Sequence, residues 1–528
     1  MKAVIGIDYG TLSARAILVD AQTGETLYSQ QISYPHGVMP GDLASAQDYD
    51  SVLLELLRAM SSSPWGSSVE GICVDATSLT LVPLGKDGRP LALNTDFADE
   101  PHTQIKLWKY HQAQKQADEA LALAQAMGEP FLRRTGNTVS CEWMLPKLVQ
   151  CYDEAPAIYQ QMDLAMDLCD YLTYRLTKRV VRSVGSMSFK CLWSRDLGFP
   201  SDEYLDALRP SFAGKYRRLL RGTVRCAGEK AGGLSVDIAQ QVGLRPGIPV
   251  AVGALDGHTA LVALGALRVG EAALVVGTSN VLTVQTAELQ EIPGICGIAP
   301  DGLTPGLYGL DMGQACTGDM LSWYIENMLP ASMLRQAEKE GKNIHNFLCG
   351  LVREPWNNPV TIADWWNGSR NMPCDLTLQG FASGLTLNTR PQDIYLAMLQ
   401  AIACGTLQII EQCAQHGVKI NRLVAAGGIT QKNPLLMQQY ADILHMPIDA
   451  GQITEGPALG SAILASVAAG IYATSAEAWN TMGVKSTVCY LPDEEHADAY
   501  QRLYQRNCHL RRQMISGMRH QNCPSEPA

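Results

Sequence analysis

Short apolar runs rich in Val, Ile and Ala recur along the chain, and several end in an acid or a glycine followed by small hydroxyl residues. Ala3–Ile7 and Ala16–Val19 are such runs. Tyr9–Ala14 between them has the small residues of a tight turn, so the pattern predicts a hairpin. Gly71–Asp75 reads as another buried strand, followed by Thr77, Ser78 and Thr80 and by a further strand at Leu81–Leu84. In between, Tyr49, Val52, Leu53, Leu56, Leu57 and Met60 repeat at helical spacing, and Ser61–Pro64 ends that helix. Strands alternating with helices indicate an α/β chain, in which ligands gather beyond the carboxyl ends of the strands.

Further along, Lys106–Lys109 leads into a long helix to about Met127, and Pro146–Tyr152 and Cys169–Leu176 also read as helices. Ser183–Trp193 reads as an apolar, β-like run. Within it Lys190 must either reach water along its stem, the commoner outcome, or meet an anionic or hydroxyl-rich partner. The loop Leu244–Gly247 separates helical Val236–Val242 from the strand Pro249–Gly253, and a domain boundary is expected there. Ala272–Val284 repeats the opening plan of strand, Gly-Thr-Ser turn and strand, and two such hairpins could clasp one polyphosphate. Tyr308–Asp319 places Asp311 and Gln314 in a Gly-rich turn before a helix. Leu423–Leu436 is a strand running into Gly427 and Gly428 and then a helix, while Glu455–Ala465 opens another helix with small residues that permit close packing. The last residues, Asn522–Ala528, are expected to fray.

At 528 residues the chain is too long for one ordinary core and is expected to form two large domains. Its net charge of −11 disfavours general nucleic-acid or anionic-membrane binding but leaves a small phosphorylated ligand open, since that needs only local donors. No Lys/Arg-headed apolar segment opens the sequence, and no apolar run reads as long enough to span a bilayer, so a cytosolic protein without a membrane partner is expected. The 15 cysteines are dispersed, with no C-x-x-C pair, and read as reduced core thiols.

The candidate chemistry sits at the strand ends. Gly10 lets the backbone approach an anion, Asp8 can hold a hydrated Mg²⁺, Thr11 can donate to a terminal phosphate, and Arg15 can offset its charge. The plainer reading is a hairpin whose Asp and Thr satisfy turn amides. Asp75 and Ser78 stand at another strand end, where they either cap the next segment or touch substrate. Asp256 follows a strand and precedes a helix, so it is either a helix N-cap or a carboxylate that takes a proton from an attacking hydroxyl. The glycine pair at 427 and 428 could admit a flat base or ribose, or simply serve packing. The G-x-x-x-x-G-K-[ST] loop, the protein-kinase signatures and the G-x-S-x-G elbow are missing, so any phosphate site is of another type.

Taken in order, these stretches resemble the FGGY carbohydrate kinases, whose fold is a pair of actin-like ATPase (ribonuclease H-like) α/β domains with a cleft between them. The likeness rests on D-x-G-T-x-x-x-R at Asp8–Arg15, GICVDATSLT at Gly71–Thr80, KLWK at Lys106–Lys109, the FKCLW run containing Lys190, GGITQKN at Gly427–Asn433 and G-x-A-x-G-[SA]-A from Gly456. It implies an N-terminal domain over 1–247 and a C-terminal domain over 248–528, with ATP and Mg²⁺ as cofactors. By position, Asp8 would hold Mg²⁺ through water and Gly10, Thr11 and Arg15 would serve the ATP phosphates. Gly277 and Thr278 would face the γ-phosphate, and Gly427, Gly428 and Asn433 would lie by the adenosine. Ser78, Lys190, Asp256 and Asp311 would contact a sugar, with Asp256 as catalytic base. The implied reaction is transfer of the γ-phosphoryl group to a primary hydroxyl of a ketopentose, L-ribulose first, by a cytoplasmic homodimer. The alternatives are another ketopentose or pentitol (D-ribulose, xylulose, ribitol), or a non-catalytic nucleotide switch of the same fold. One departure stands out, because the L-ribulose kinases of the family carry Glu where this chain has Asp311.

Overall fold

The computed structural model describes residues 1–97, 100–295, 297–371, 374–375, 377–453 and 455–521. The expected fraying of Asn522–Ala528 lies outside the described residues. The chain divides into two compact units, one of residues 1–269, 284–311 and 455–484, the other of residues 270–283, 312–454 and 485–528. It passes between them within the strands Asn280–Thr286 and Tyr308–Gln314.

The first unit is built on a six-stranded sheet in the order Lys230–Gly233, Pro249–Ala251, Val69–Ala76, Ala3–Tyr9, Ser13–Asp20 and Thr26–Ser33. The predicted opening hairpin is present, with Asp8 opposite Arg15 in the antiparallel register. Ala3–Tyr9 and Pro249–Ala251 both run parallel to Val69–Ala76, so three strands deliver their carboxyl ends side by side. The helix Ala46–Ser62 buries Tyr49, Val52, Leu53, Leu56, Leu57 and Met60, the stripe predicted from its spacing. On the sheet lies the helix Gly456–Ala468. Gly6 and Gly71 make its approach possible, because a Cβ on Gly6 would fall 1.9 Å from the Ala458 carbonyl oxygen and one on Gly71 2.5 Å from that of Ala465. A third glycine, Gly460, brings the same helix against Asp256–Leu264: a Cβ there would fall 1.9 Å from the Thr259 carbonyl oxygen.

In the second unit the strands Glu271–Val276, Arg422–Ala426, Ile448–Gly451 and Thr487–Tyr490 are neighbours in that order, the first three parallel. Pro391–Gln415 corrects the expectation that no run could span a bilayer. It is long and apolar enough by length and composition, but 72% of its apolar window is buried inside the protein, as in a core helix.

Two further expectations change. Ser183–Trp193 is not β-like: Ser183 closes a short strand and caps a helix over Val184–Lys190, in which every residue before Lys190 is buried. With all faces covered, the apolar run has no helical periodicity to display. Tyr308–Gln314 is a strand and not a turn. Its glycines serve close packing, since a Cβ on Gly309 would meet the Leu303 side chain at 2.5 Å and one on Gly313 the Asn280 carbonyl oxygen at 2.1 Å.

Candidate active site

In the first unit three carboxylates stand at the ends of the three parallel strands. Asp8 and Asp75 are register partners on adjacent strands, and Ala76 bridges in parallel to Leu255, the residue before Asp256. Asp256 is not the N-cap. Leu255 occupies that position, and Asp256 is the first helical residue, its Oδ1 accepting from the Gly257 amide at 2.7 Å. Asp75 is fully buried. Its Oδ2 accepts from Ser461 Oγ at 2.6 Å, while Oδ1 has no donor within the protein.

This crowding governs protonation. Burial raises the Asp8 carboxyl, partly offset by its contact with Asp75 and by the Arg15 charge. Burial and the charge of Asp8 push Asp75 well above the usual carboxylate range. Burial, then Asp8, raises Asp256 to about 7, the Gly257 amide opposing. Among the described residues, no group of three His, Cys, Asp or Glu is placed to hold a metal directly. Two crowded acids and an oxygen without a donor instead fit a cation held through its own waters.

A second cluster joins Lys190, Asp311 and His258. Lys190 Nζ donates to Asp311 Oδ2 at 3.0 Å, so the partnered alternative holds and the lysine does not simply reach for water. His258 Nε2 lies 3.9 Å from the same oxygen, its ring edge-on to Phe189. Burial alone would raise the Asp311 carboxyl, but the Lys190 ammonium and the His258 ring outweigh it and hold it well below the usual range. The charge of Asp311 in turn helps to raise Asp256. A carboxylate kept ionised beside a fixed ammonium can accept from one sugar hydroxyl while the lysine donates to another.

Ser78 lies in the turn after Val69–Ala76, in which Leu79 takes φ +37° and Thr77 Oγ1 meets Thr80 Oγ1 at 2.9 Å. On the opening hairpin, Gly10 does not have a positive φ. It supplies room, since a Cβ would come within 3.2 Å of the Ser13 carbonyl oxygen. Thr11 Oγ1 accepts from Trp108 Nε1 at 3.1 Å, and Arg15 donates to Gln31 at 2.6 Å and lies 3.6 Å from Glu455.

In the second unit the loops after the parallel neighbours Glu271–Val276 and Arg422–Ala426 come together. Gly427 takes φ +118°, and a Cβ there would fall 2.2 Å from the Val276 carbonyl oxygen. The Gly277 carbonyl accepts from Thr317 Oγ1 at 2.8 Å and the Gly318 amide at 3.0 Å, which leaves Thr278 exposed at the tip. Gly428 is exposed, while Asn433 is buried, its Oδ1 capping the helix Pro434–Leu444 through the Leu436 amide at 3.0 Å.

Sequence reasoning missed His258, although it stands two residues after Asp256. It also missed Ser461, whose contact with Asp75 spans 386 positions and leaves no local signal.

Residues 3–263 match the N-terminal domain of the FGGY family of carbohydrate kinases, and residues 272–469 match its C-terminal domain. The chain is 36% identical to a ribulokinase of Halalkalibacterium halodurans over 96% of its own length and 93% of that protein's. It is 37% identical to a ribulokinase of Geobacillus thermodenitrificans over the same shares. The crystal structure of a xylulose kinase from Rhodospirillum rubrum superposes with a TM-score of 0.79 at 23% identity, covering 98% of this chain and 99% of that one.

Proposed function

The chain belongs to the FGGY family of carbohydrate kinases and is a pentulose kinase, and we propose that its acceptor is L-ribulose, with Asp256 as the base. The observation that carries this is the placement of Asp256 in one unit with both the Asp8–Asp75 pair and the Lys190–Asp311 pair. A carboxyl raised to about 7 is poised to take the proton of a primary hydroxyl near neutral pH as that oxygen attacks phosphorus. Asp311 and Lys190 hold the sugar's other hydroxyls, and Ser78 contributes a further hydrogen bond from its turn.

ATP is the donor that the family's chemistry requires. Its phosphates would be served by Gly10, Thr11 and Arg15 on one hairpin and by Gly277 and Thr278 on the other. Gly427 and Gly428 would receive the adenosine on bare backbone, with Asn433 fixing the start of the helix behind them. Mg²⁺, held through water at Asp8, supplies charge neutralisation on the phosphates when bound. The protein's own contribution is to orient the acceptor, hold its proton at Asp256 and keep donors aimed at the transferring group. In this reading the sugar contacts and the base lie together in the unit of residues 1–269, 284–311 and 455–484, and the protein is a cytosolic homodimer.

One observation favours a second acceptor. Asp311 is one methylene shorter than the Glu expected of an L-ribulose kinase, which shifts its reach toward a differently oriented hydroxyl and keeps D-ribulose and xylulose in view. The test is ATP consumption by the purified protein with Mg²⁺ against ketopentoses and pentitols, with Asp256→Asn as control. L-Ribulose in the lead with an inactive variant upholds the proposal. A lead by another ketopentose moves the acceptor and leaves the base in place, and turnover equal with and without sugar and unaffected by the variant overturns the base assignment.

A further inference from the structure

Two lysines are buried in the first unit, Lys106 and Lys147, 2% and 0% exposed. An ammonium is costly to bury, and a lysine kept inside a fold therefore points to work done by its donors. Lys147, in the first turn of the helix Met144–Glu154, donates from Nζ to the carbonyl oxygens of Leu79 and Leu107, each at 2.9 Å. Burial lowers its pKa to about 7. A neutral amine still carries two N–H bonds, one for each carbonyl, so both contacts survive deprotonation.

One carbonyl belongs to the turn assigned to the acceptor, the other to the turn that backs Thr11 on the phosphate hairpin. Leu79 follows Ser78 and holds φ +37°, a conformation a branched side chain adopts only when its surroundings impose it. The ends of its turn are fixed elsewhere: the Thr77 amide donates to the Tyr9 carbonyl at 3.1 Å and the Thr80 amide to Asp167 Oδ1 at 3.2 Å. Between those anchors Lys147 holds the Leu79 carbonyl. Leu107 precedes Trp108, whose Nε1 donates to Thr11 Oγ1. A single nitrogen thus ties the Ser78 turn to the turn that fixes Thr11.

We propose that Lys147 is a positioning residue for phosphoryl transfer, clamping the acceptor turn at Ser78 and the Trp108 turn behind Thr11 into one fixed spacing. The inference rests on the reading of Ser78 and Thr11 as substrate contacts. Lys147→Met removes the donors and keeps most of the stem. Small misplacements of reacting groups are expensive, so kcat/KM for the best ketopentose should fall about 100-fold while KM for ATP stays within about twofold. Sugar-independent ATP hydrolysis should rise relative to transfer. In hydrogen–deuterium exchange of the full chain, amides of residues 77–80 and 107–109 should exchange faster while Val69–Ala76 keeps its protection.

Lys147→Gln, which keeps a donor on a shorter stem, should lose about tenfold and serves if the methionine variant does not fold. Lys106→Met is the matched control. Its Nζ meets His102 Nδ1 at 3.0 Å and donates to Gln150 Oε1 at 3.2 Å and to the Lys147 carbonyl at 3.5 Å, and none of these contacts holds the Leu79 or Leu107 carbonyl, so it should cost stability without the kinetic split. Unchanged exchange in the two turns, or the same kinetic split in Lys106→Met, overturns the clamp. Ser78→Ala with an unaltered sugar KM overturns the substrate-contact reading instead, and the exchange experiment judges the clamp independently of it.

Discussion

Lys190 and Asp311, 121 positions apart, form an ion pair of 3.0 Å in which both side chains are nearly buried. Removing the ammonium leaves a desolvated carboxylate, and the cost of such a break is about 3–5 kcal/mol. Lys190→Met should therefore lower both Tm and kcat/KM for sugar, the latter by about 100-fold or more, with the ATP KM changed little. Thermal melts beside sugar and ATP titrations check this. A variant with normal sugar KM would make the pair purely structural.

Asp311→Glu adds one methylene on the same strand and keeps the charge. The expected outcome is a change in the ranking of ketopentoses by at least about tenfold, since an epimer is distinguished by hydrogen bonds worth a few kcal/mol in a dry site. The substrate panel measured on both proteins decides it, and an unaltered ranking removes Asp311 from specificity.

Asp256 gives two pH predictions. As a base it must be ionised, so kcat/KM should climb as pH rises toward about 7 and then level, and Asp256→Asn should be at least about 1,000-fold slower. For stability the sign is opposite. The folded-state value of about 7 lies above the ordinary Asp value of about 4, so between them the folded state binds more protons and loses stability as pH rises. Asp256→Asn does not titrate, and its Tm advantage over the wild type should grow from pH 5 to pH 8.

Ser461→Ala deletes the donor to Asp75 Oδ2 and leaves a fully buried carboxyl without it. The expected loss is about 1–3 kcal/mol in denaturant unfolding. A cost near zero would mean that water replaces the hydroxyl.

Gly427→Ala meets both a left-handed backbone and the Val276 carbonyl oxygen. ATP binding measured by calorimetry should weaken by about tenfold or more, with the sugar affinity kept.

The parts legible in the sequence are those whose signal is local. The opening hairpin, the stripe from Tyr49 to Met60 and the small-residue helix after Glu455 show their own period or composition. The helix Val184–Lys190 was hidden because burial on every side erases periodicity, and the strand Tyr308–Gln314 because its glycines serve neighbours far away in sequence. Candidate acids could be picked out one by one. Their mutual effect could not, since the raised carboxyls arise from strands brought together only by folding.

The helix that seats against Gly6 and Gly71 and supplies Ser461 is made long after the sheet it covers. A ribosome will have released the first 269 residues long before residues 455–484 emerge. Through that interval the sheet bearing Asp8 and Asp75 has no Gly456–Ala468 to cover it, and its apolar surface is open to wrong partners. The nascent chain should therefore need chaperone protection until synthesis passes residue 484. A fragment ending near residue 269 should be recovered aggregated or chaperone-bound, and adding a peptide that spans residues 455–484 should rescue it in part.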